Sequence, residues 1–195
     1  MDFIRLYHSV RMFMCRSAEK RAAYLKKHDI LGAIGDNCRW GPRKIPLYPK
    51  LIKLHNNVGV QKTVSFITHD MVNRHLKGAY PEKDFGNRER IGCIELMDNV
   101  YLSTRVIVMH GVRINKNSIV TAMSVVTSDI PENSVATGNP AKPVGRYDMF
   151  AALRAMSRGQ TVHFKNQALP DEIAEKKWDE FYKKRKNEEE VCISR

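Results

Sequence analysis

The sequence lacks any long apolar run. No stretch approaches the roughly 20 apolar residues that a membrane-spanning helix needs. Near the start, the apolar residues are interrupted by Asp2, Arg5, His8 and Arg11. A secretory signal peptide needs an uninterrupted apolar stretch followed by small residues, so this segment does not fit one. We therefore expect no membrane span and a cytoplasmic protein.

Cysteine is also scarce, and its spacing does not suggest pairs. The four cysteines form no Cys-x-x-Cys motif; they are Cys15, Cys38, Cys93 and Cys192. This spacing gives no support for a structural zinc site, and it is typical of unpaired thiols in a reducing compartment. We therefore expect neither a disulfide framework nor a bound metal.

Acidic residues are fewer than basic ones, 21 against 33, which gives a net charge of +12. The surplus is spread over residues 20–27, 74–90 and 176–186 rather than along one stripe. Nucleic acid, an anionic membrane surface, a phosphorylated ligand and a solvated surface are all compatible with it. The chain contains no recognisable nucleic-acid module or aromatic platform, so no specific nucleic-acid binding is expected.

Aromatic residues make up only 8% of the chain, whereas 43% is hydrophobic, and the aliphatic residues recur with a period of six. One row consists of Leu96, Leu102, Val108, Ile114, Val120 and Val126. A second row, small or β-branched, consists of Val100, Val106, Val112, Ser118, Ser124 and Ile130. A period of six fits neither an α-helix nor a simple hairpin. It predicts a triangular coil, in which three six-residue sides stack as parallel strands around a narrow interior.

The same period is visible earlier in the chain, with interruptions. Ile34 and Trp40 are six residues apart, and Leu54, Val60 and Phe66 resume the row after a proline-containing stretch. The polar segment from Val72 to Arg90 has no steady period and contains Gly78, Pro81 and Gly86. We expect this segment to project from the coils as an inserted loop, which in compact domains is usually functional or disordered.

The end of the repeat carries a recognisable signature. Residues 124–131 read SVVTSDIP, and residues 132–142 read ENSVATGNPAK. With the six-residue rows, these segments resemble the hexapeptide-repeat acyltransferases over residues 34–146, most closely the maltose and galactoside O-acetyltransferases. The resemblance implies an all-β core, a left-handed parallel β-helix of hexapeptide repeats. It also implies a homotrimer that uses acetyl-CoA as co-substrate.

Helical segments are expected on both sides of this core. Residues 1–33 are predicted to form an N-terminal helical cap over the first coil, because an open solenoid edge must be covered. Residues 147–195 are predicted to form a C-terminal helical extension, with an amphipathic pattern from Asp171 to Lys186. That helix has three possible roles: a partner or trimer contact, packing on its own coil, or a free tail.

The resemblance implies specific catalytic residues. Transfer to a hydroxyl needs a base, and histidine suits this role near neutral pH. His69 stands in a Thr-His pair where the sugar acetyltransferases have their catalytic histidine. Their loop glutamate, which orients that histidine, corresponds best to Glu89, with Asp70 and Glu82 as rivals. The backbone N–H at Thr104 corresponds to the oxyanion donor.

The resemblance also implies a coenzyme-binding set, in a groove between neighbouring subunits. The pantetheine arm is expected along Ala122 and Met123. The phosphates and adenine are expected near Thr127, Ser128, Gly138, Asn139, Lys142 and Arg146.

The predicted activity is transfer of an acetyl group to a hydroxyl of a sugar or glycan, with a small-molecule or glycan acceptor. Alternatives are xenobiotic O-acetylation and amino-sugar N-acetylation. A non-catalytic β-helix scaffold is less favoured. A γ-carbonic-anhydrase-like hydrase is also less favoured, because His110 matches one zinc ligand of that family but Arg105 replaces another.

Overall fold

Short strands recur along the chain and form three sheets in which neighbouring strands are mainly parallel. The structure is a computed structural model that describes residues 3–85, 89–156 and 169–193. Sheet 1 contains β1 (Ala33–Ile34), β3 (Ile52–Leu54), β8 (Ile94–Leu96) and β11 (Val112–Ile114). Sheet 2 contains β2 (Arg39–Trp40), β4 (Gly59–Val60), β9 (Val100–Leu102), β12 (Ser118–Val120), β14 (Ser134–Gly138) and β15 (Ala141–Arg146). Sheet 3 contains β5 (Ser65–Ile67), β10 (Ile107–Met109) and β13 (Val125–Val126).

The order of the strands shows that the chain visits the three sheets in turn. From β8 to β13 it passes through sheets 1, 2 and 3 twice, and each circuit is called a coil below. Val112 pairs with Ile94, and Ser118 pairs with Val100, so partners in successive coils are 18 residues apart (112 − 94 and 118 − 100). This register equals three six-residue units. At the end of the repeat, β15 pairs antiparallel with β14 and forms the last strand of sheet 2.

The interior of the coils is made by the two rows that the period of six identified. All twelve members of the rows from Leu96 to Ile130 are buried, and so are the earlier members Leu54, Val60 and Phe66. The prediction of a layered aliphatic interior is therefore confirmed. Ser118 and Ser124 are tolerated there because their hydroxyls are satisfied: Ser118 donates to the carbonyl of Pro131, and Ser124 accepts from the N–H of Gly138.

Three corners connect the sides of each coil, and each corner repeats from coil to coil. The asparagine corner, between sheets 1 and 2, contains Asn37, Asn57, Asn99 and Asn117. Each of these residues has a positive φ between 54° and 59°, which asparagine tolerates better than most residues. Their side-chain amides form a ladder in which each step is a 2.8 Å hydrogen bond. The threonine corner lies between sheets 2 and 3 and contains Thr63, Thr104 and Thr121. The histidine corner lies between sheets 3 and 1 and contains His69 and His110. These two corners carry the predicted site residues other than Arg146.

Two helices pack on the first coil. Helix α1 spans Phe3–Met14, and helix α2 spans Ala18–Lys27 with Ser17 as its N-cap. Met12 and Leu25 are buried against the core. Arg21 is buried as well, and its guanidinium donates to the carbonyls of Trp40 and Cys15 at 2.9 and 2.8 Å. These contacts cover the open end of the coils.

The inserted segment differs from the expected loop. It contains a helix, α3 (Val72–Ala79), between two short strands, β6 (His69–Asp70) and β7 (Arg90–Ile91), which pair antiparallel. Pairing of β6 with β7 closes the base of the insertion. The insertion is thus anchored at both ends beside His69, although no periodic pattern in the sequence indicates this pairing.

After the coils, helix α4 (Tyr147–Met156) ends the first compact unit, residues 1–156. A second unit, residues 157–195, contains helix α5 (Asp171–Ile193). Within α5, the rings of Trp178, Phe181 and Tyr182 contact one another, and the guanidinium of Arg185 lies over Phe181. The helices in the described ranges are all too short or too polar to cross a bilayer.

One surface ion cluster on sheet 1 makes a testable contribution to stability. The carboxylate of Glu95 accepts from His55 Nε2 at 3.0 Å and from Arg113 Nε at 2.8 Å. The hydrogen bond from His55 is the main cause that lowers the pKa of Glu95 below its usual value, and Arg113 adds to it. A lowered pKa in the folded state stabilises the protein above the pKa of the unfolded state, and this stabilisation is lost as pH falls through the folded pKa.

We therefore expect Glu95→Gln to lower the free energy of unfolding by about 1 kcal/mol near pH 7. The difference from wild type should shrink as the pH falls below about 4, where the unfolded-state glutamate is protonated. Urea unfolding at a series of pH values measures this. The control is Glu132→Gln, which removes a more exposed ion pair with Lys116. It should leave the free energy of unfolding nearly unchanged. A difference for Glu95→Gln that does not change with pH would contradict the prediction.

Candidate active site

The histidine corner holds His69 at the point where the inserted segment leaves the coils. Its position is fixed by the preceding residue, Thr68, which is fully buried. The Thr68 hydroxyl donates to the carbonyl of Leu47 at 2.6 Å, and the Thr68 carbonyl accepts from the N–H of Gly92 at 3.0 Å. The backbone next to His69 is therefore held by hydrogen bonds to Leu47 in the preceding coil and to Gly92 directly after β7.

The imidazole of His69 is half-buried and incompletely hydrogen-bonded. Its Nδ1 atom is buried and has no hydrogen-bond partner among the described residues. The ring meets the ring of Tyr48 edge-on, with centroids 5.6 Å apart and planes at 90°. A buried ring nitrogen without a partner is unfavourable in a purely structural role, so a partner is expected when the site is working.

Tyr48 connects this histidine to a carboxylate. The Tyr48 hydroxyl donates to Oε2 of Glu89 at 2.6 Å. This hydrogen bond raises the pKa of Tyr48 above its usual value, because the phenol must keep its proton to donate to the carboxylate. His69, Tyr48 and Glu89 thus form one contact chain at the histidine corner.

The other two acidic candidates have different surroundings. Oδ2 of Asp70 lies 3.4 Å from Nε2 of His110, and Oδ1 of Asp70 accepts from the N–H of Val72. Glu82 is exposed on the inserted segment. Of the three acidic residues considered from the sequence, Glu89 is the one that contacts a neighbour of the His69 ring.

The threonine corner brings together a second group of predicted residues. The N–H of Met123 donates to the carbonyl of Thr104 at 3.0 Å, so these two residues are stacked in successive coils. The hydroxyls of Thr121 and Thr137 are hydrogen-bonded at 2.5 Å, which places the turn at Gly138 beside the same corner. Six predicted residues lie in this column: Thr104, Ala122, Met123, Gly138, Asn139 and Lys142.

Within one chain, the two corners lie at opposite ends of sheet 3. Thr104 precedes β10, whereas His69 follows β5, and these strands pair in parallel register. Thr104 is level with residue 62 in this register, so at about 3.3 Å per residue the seven residues to His69 correspond to about 23 Å of extended backbone. Thr127 and Ser128 follow β13 and therefore lie at the histidine corner, apart from the other predicted coenzyme residues.

Arg146 lies away from both groups. It pairs with Ser134 at the far end of β15 from Gly138, and its guanidinium binds the carboxylate of Asp148. This hydrogen bond raises the pKa of Arg146 and lowers that of Asp148. A phosphate at Arg146 would have to compete with Asp148.

No family model matches the chain, but curated relatives and solved structures do. The chain is 36% identical to Protein CapG of Staphylococcus aureus over 120 residues, which is 60% of this chain and 67% of CapG. It is 53% identical to a galactoside O-acetyltransferase of Lactococcus lactis over 47 residues, 24% of this chain and 23% of the relative. A hexapeptide-repeat acetyltransferase structure from Vibrio cholerae matches at 19% identity with a TM-score of 0.54, over 74% of this chain and 89% of that one. The chain belongs to the hexapeptide-repeat acyltransferase family.

A galactoside acetyltransferase solved in complex with coenzyme A also has the fold of this hexapeptide-repeat acyltransferase. The match has 21% identity and a TM-score of 0.51, and it covers 85% of this chain and 88% of the other. The sequence matches are shorter. The chain spans 27% and 54% of two yeast relatives and 23% of the galactoside enzyme from L. lactis, about half or less of each.

Tyr48 is a residue of this site that the sequence did not indicate. The residue lies in an irregular stretch, between Pro46 and Pro49, where the six-residue period is lost. A tyrosine held between two prolines could have been noted as a rigid position. Its contact with Glu89, 41 residues later, has no signal in the sequence.

The described residues contain no cluster with the composition of a metal site. No group of three or more histidine, cysteine, aspartate or glutamate residues there is arranged to hold a metal ion. His110, which the sequence suggested as one possible ligand, has Asp70 as its acidic neighbour. This arrangement is a contact between two side chains, with His110 Nε2 and Asp70 Oδ2 3.4 Å apart.

Proposed function

We propose that this protein is a left-handed β-helix acetyltransferase that moves an acetyl group from acetyl-CoA to a hydroxyl of a sugar or glycan. His69 is the general base. The observation that carries the proposal is the half-buried His69, whose Nδ1 lacks a partner, beside the Tyr48–Glu89 pair at a corner of the coils. The name of the L. lactis relative, galactoside O-acetyltransferase, supports a sugar acceptor.

The chemistry of this reaction assigns a role to each residue. Nε2 of neutral His69 takes the proton of the acceptor hydroxyl as its oxygen attacks the thioester carbon. The oxyanion of the tetrahedral intermediate accepts a hydrogen bond from the backbone N–H of Thr104. When the carbon–sulfur bond breaks, the imidazolium returns the proton to the leaving thiolate of CoA. Glu89 accepts from Nδ1–H, which fixes the tautomer and stabilises the imidazolium.

The distribution of these residues favours a homotrimer. Within one chain, about 23 Å of extended backbone separates Thr104 from His69 along one side of the coil, too far for both to act on one carbonyl group. A second copy packed alongside can place its threonine corner against the histidine corner of the first. Two convex prisms side by side also form the groove that a ligand of the size of CoA requires.

In this arrangement, acetyl-CoA lies in the groove between two copies. The pantetheine arm runs along the exposed Ala122 and Met123. The 3′,5′-ADP moiety meets Thr127 and Ser128 from one side and the turn from Gly138 to Lys142 from the other. Lys142 supplies positive charge to a phosphate. Arg146 can do the same once its guanidinium leaves the Asp148 carboxylate and binds the phosphate instead. The cytoplasmic location expected from the sequence suits a protein that uses this donor.

The donor assignment predicts a large ligand-induced stabilisation. A ligand that binds only the folded state adds about 2.7 kcal/mol at 100 times its Kd, so a clear rise in Tm is expected with excess acetyl-CoA. Differential scanning fluorimetry measures this shift. A short acetyl thioester without the nucleotide, at the same concentration, is the control and should give little shift. An unchanged Tm at millimolar acetyl-CoA would contradict acetyl-CoA as the donor.

A further inference from the structure

Tyr48 has a backbone conformation that an aromatic residue rarely adopts. Its φ is +48° and its ψ is 54°, in the left-handed region. Such a conformation is strained for a residue other than glycine, and it persists only where the surrounding structure holds it. Residues held in this way are concentrated at functional sites.

Residues before and after Tyr48 in the sequence restrict its backbone. Pro46 and Pro49 restrict the backbone around it. The carbonyl of Leu47 accepts the 2.6 Å hydrogen bond from the buried hydroxyl of Thr68, the residue before His69. The loop that carries Tyr48 is therefore attached to the strand that carries His69, and the two rings meet edge-on.

The register of β6 and β7 places Glu89 on the same face as His69. His69 is opposite Ile91, and Asp70 is opposite Arg90. Glu89 directly precedes β7 and is two residues from Ile91, so continuing the register makes it the diagonal neighbour of His69. Diagonal neighbours are within reach of long side chains. Asp70 points to the opposite face, where it meets His110.

We infer that Tyr48 is a positioning residue, whose hydroxyl holds the Glu89 carboxylate beside His69. Nδ1 of His69 has no hydrogen-bond partner among the described residues; Glu89, held near the ring by Tyr48, is assigned as the acceptor for Nδ1–H in the working site, with Nε2 left free for the acceptor hydroxyl. This role follows from three observations: the 2.6 Å hydrogen bond, the edge-on ring contact, and the buried Nδ1 without a partner. Its consequence for turnover rests on the proposed function.

A glutamate needs such a restraint at this position. Its side chain has several rotatable bonds, and Glu89 is only partly buried beside the inserted segment. Without the tyrosine hydroxyl, the carboxylate would exchange its protein contacts for water. The ring of Tyr48 also closes one side of the imidazole, and this packing does not depend on the hydroxyl.

Tyr48→Phe separates these two contributions, because it removes the hydroxyl and keeps the ring. We expect kcat to fall roughly tenfold, the size of a lost hydrogen bond to a charged group, with KM for acetyl-CoA changed less than about twofold. Glu89→Gln should have a similar effect. The double variant should lose little more than either single variant, because both changes break the same contact.

Tyr101→Phe is the matched control. The Tyr101 hydroxyl is also hydrogen-bonded, to Nε2 of Gln61 at 2.6 Å, but it lies on sheet 2 away from the histidine corner. Its kcat should stay close to wild type. A kcat for Tyr48→Phe equal to that of Tyr101→Phe would overturn the inference.

A second readout does not depend on activity. Ring ¹⁵N spectra of His69 distinguish the Nδ1–H tautomer from the Nε2–H tautomer. The Nδ1–H form should dominate in the wild type and decrease in Tyr48→Phe and Glu89→Gln, but not in Tyr101→Phe. An unchanged tautomer ratio in Tyr48→Phe would overturn the inference. The predicted tautomer change in a protein that transfers no acetyl group would support the inference and refute the proposed function.

Discussion

His69→Ala is expected to lower kcat for acetyl transfer by roughly 10²–10⁴-fold, the contribution typical of a general base. The acceptor hydroxyl is a weak nucleophile until its proton is removed, and no other imidazole shares the contacts of His69 with Tyr48 among the described residues. Binding of acetyl-CoA should stay close to wild type, since the predicted coenzyme contacts lie on other residues. Steady-state kinetics and isothermal titration calorimetry measure the two effects separately.

His75→Ala provides the control for this variant. His75 is exposed on α3, in the same inserted segment, so it tests whether any nearby histidine is required. Its kcat should stay within about twofold of wild type, as surface substitutions usually have small effects. Retained turnover in His69→Ala, or an equal loss in both variants, would exclude His69 as the base.

Trp40→Ala is expected to lower the free energy of unfolding by about 3–5 kcal/mol. The Trp40 side chain is fully buried and stacks on Phe66, with ring centroids 5.2 Å apart and planes at 10°. The residue lies in β2, where the cavity left by its removal would be bounded by strands and by α2. Since domains are stable by only about 5–15 kcal/mol, this loss would leave the variant marginal.

The chain offers a matched control in its second tryptophan. Trp178 is 56% exposed on α5, so Trp178→Ala should cost no more than about 0.5 kcal/mol. Urea unfolding at one fixed protein concentration compares the two variants, because association makes apparent stability depend on concentration. A cost below about 1 kcal/mol for Trp40→Ala would contradict the packing described for the first coil.

The coils could be predicted from the sequence because a repeated side imposes a repeated pattern. Each side buries the same two positions, so the rows that contain Leu102 and Val106 are visible without a structure. The interior therefore depends on a local period that any reader of the sequence can find.

The surroundings of His69 could not be predicted in the same way. Tyr48 reaches Glu89 only because Thr68 holds the Leu47 carbonyl and because β6 pairs with β7. These contacts join segments that have no common period. The pairing of Asp70 with His110 also depends on the exact exit of the inserted segment. The roles of His69, Glu89 and Thr104 stay predictions, drawn from the family resemblance and from the geometry.

The central claim is transfer of an acetyl group from acetyl-CoA to a glycan hydroxyl. The most direct measurement incubates the protein with [¹⁴C]acetyl-CoA and a panel of mono- and oligosaccharides, and then treats the labelled products with mild alkali. We expect label on at least one sugar, absent with His69→Ala, that alkali releases as acetate from an ester. Label that resists alkali on an amino sugar, or no labelled sugar, would contradict this claim.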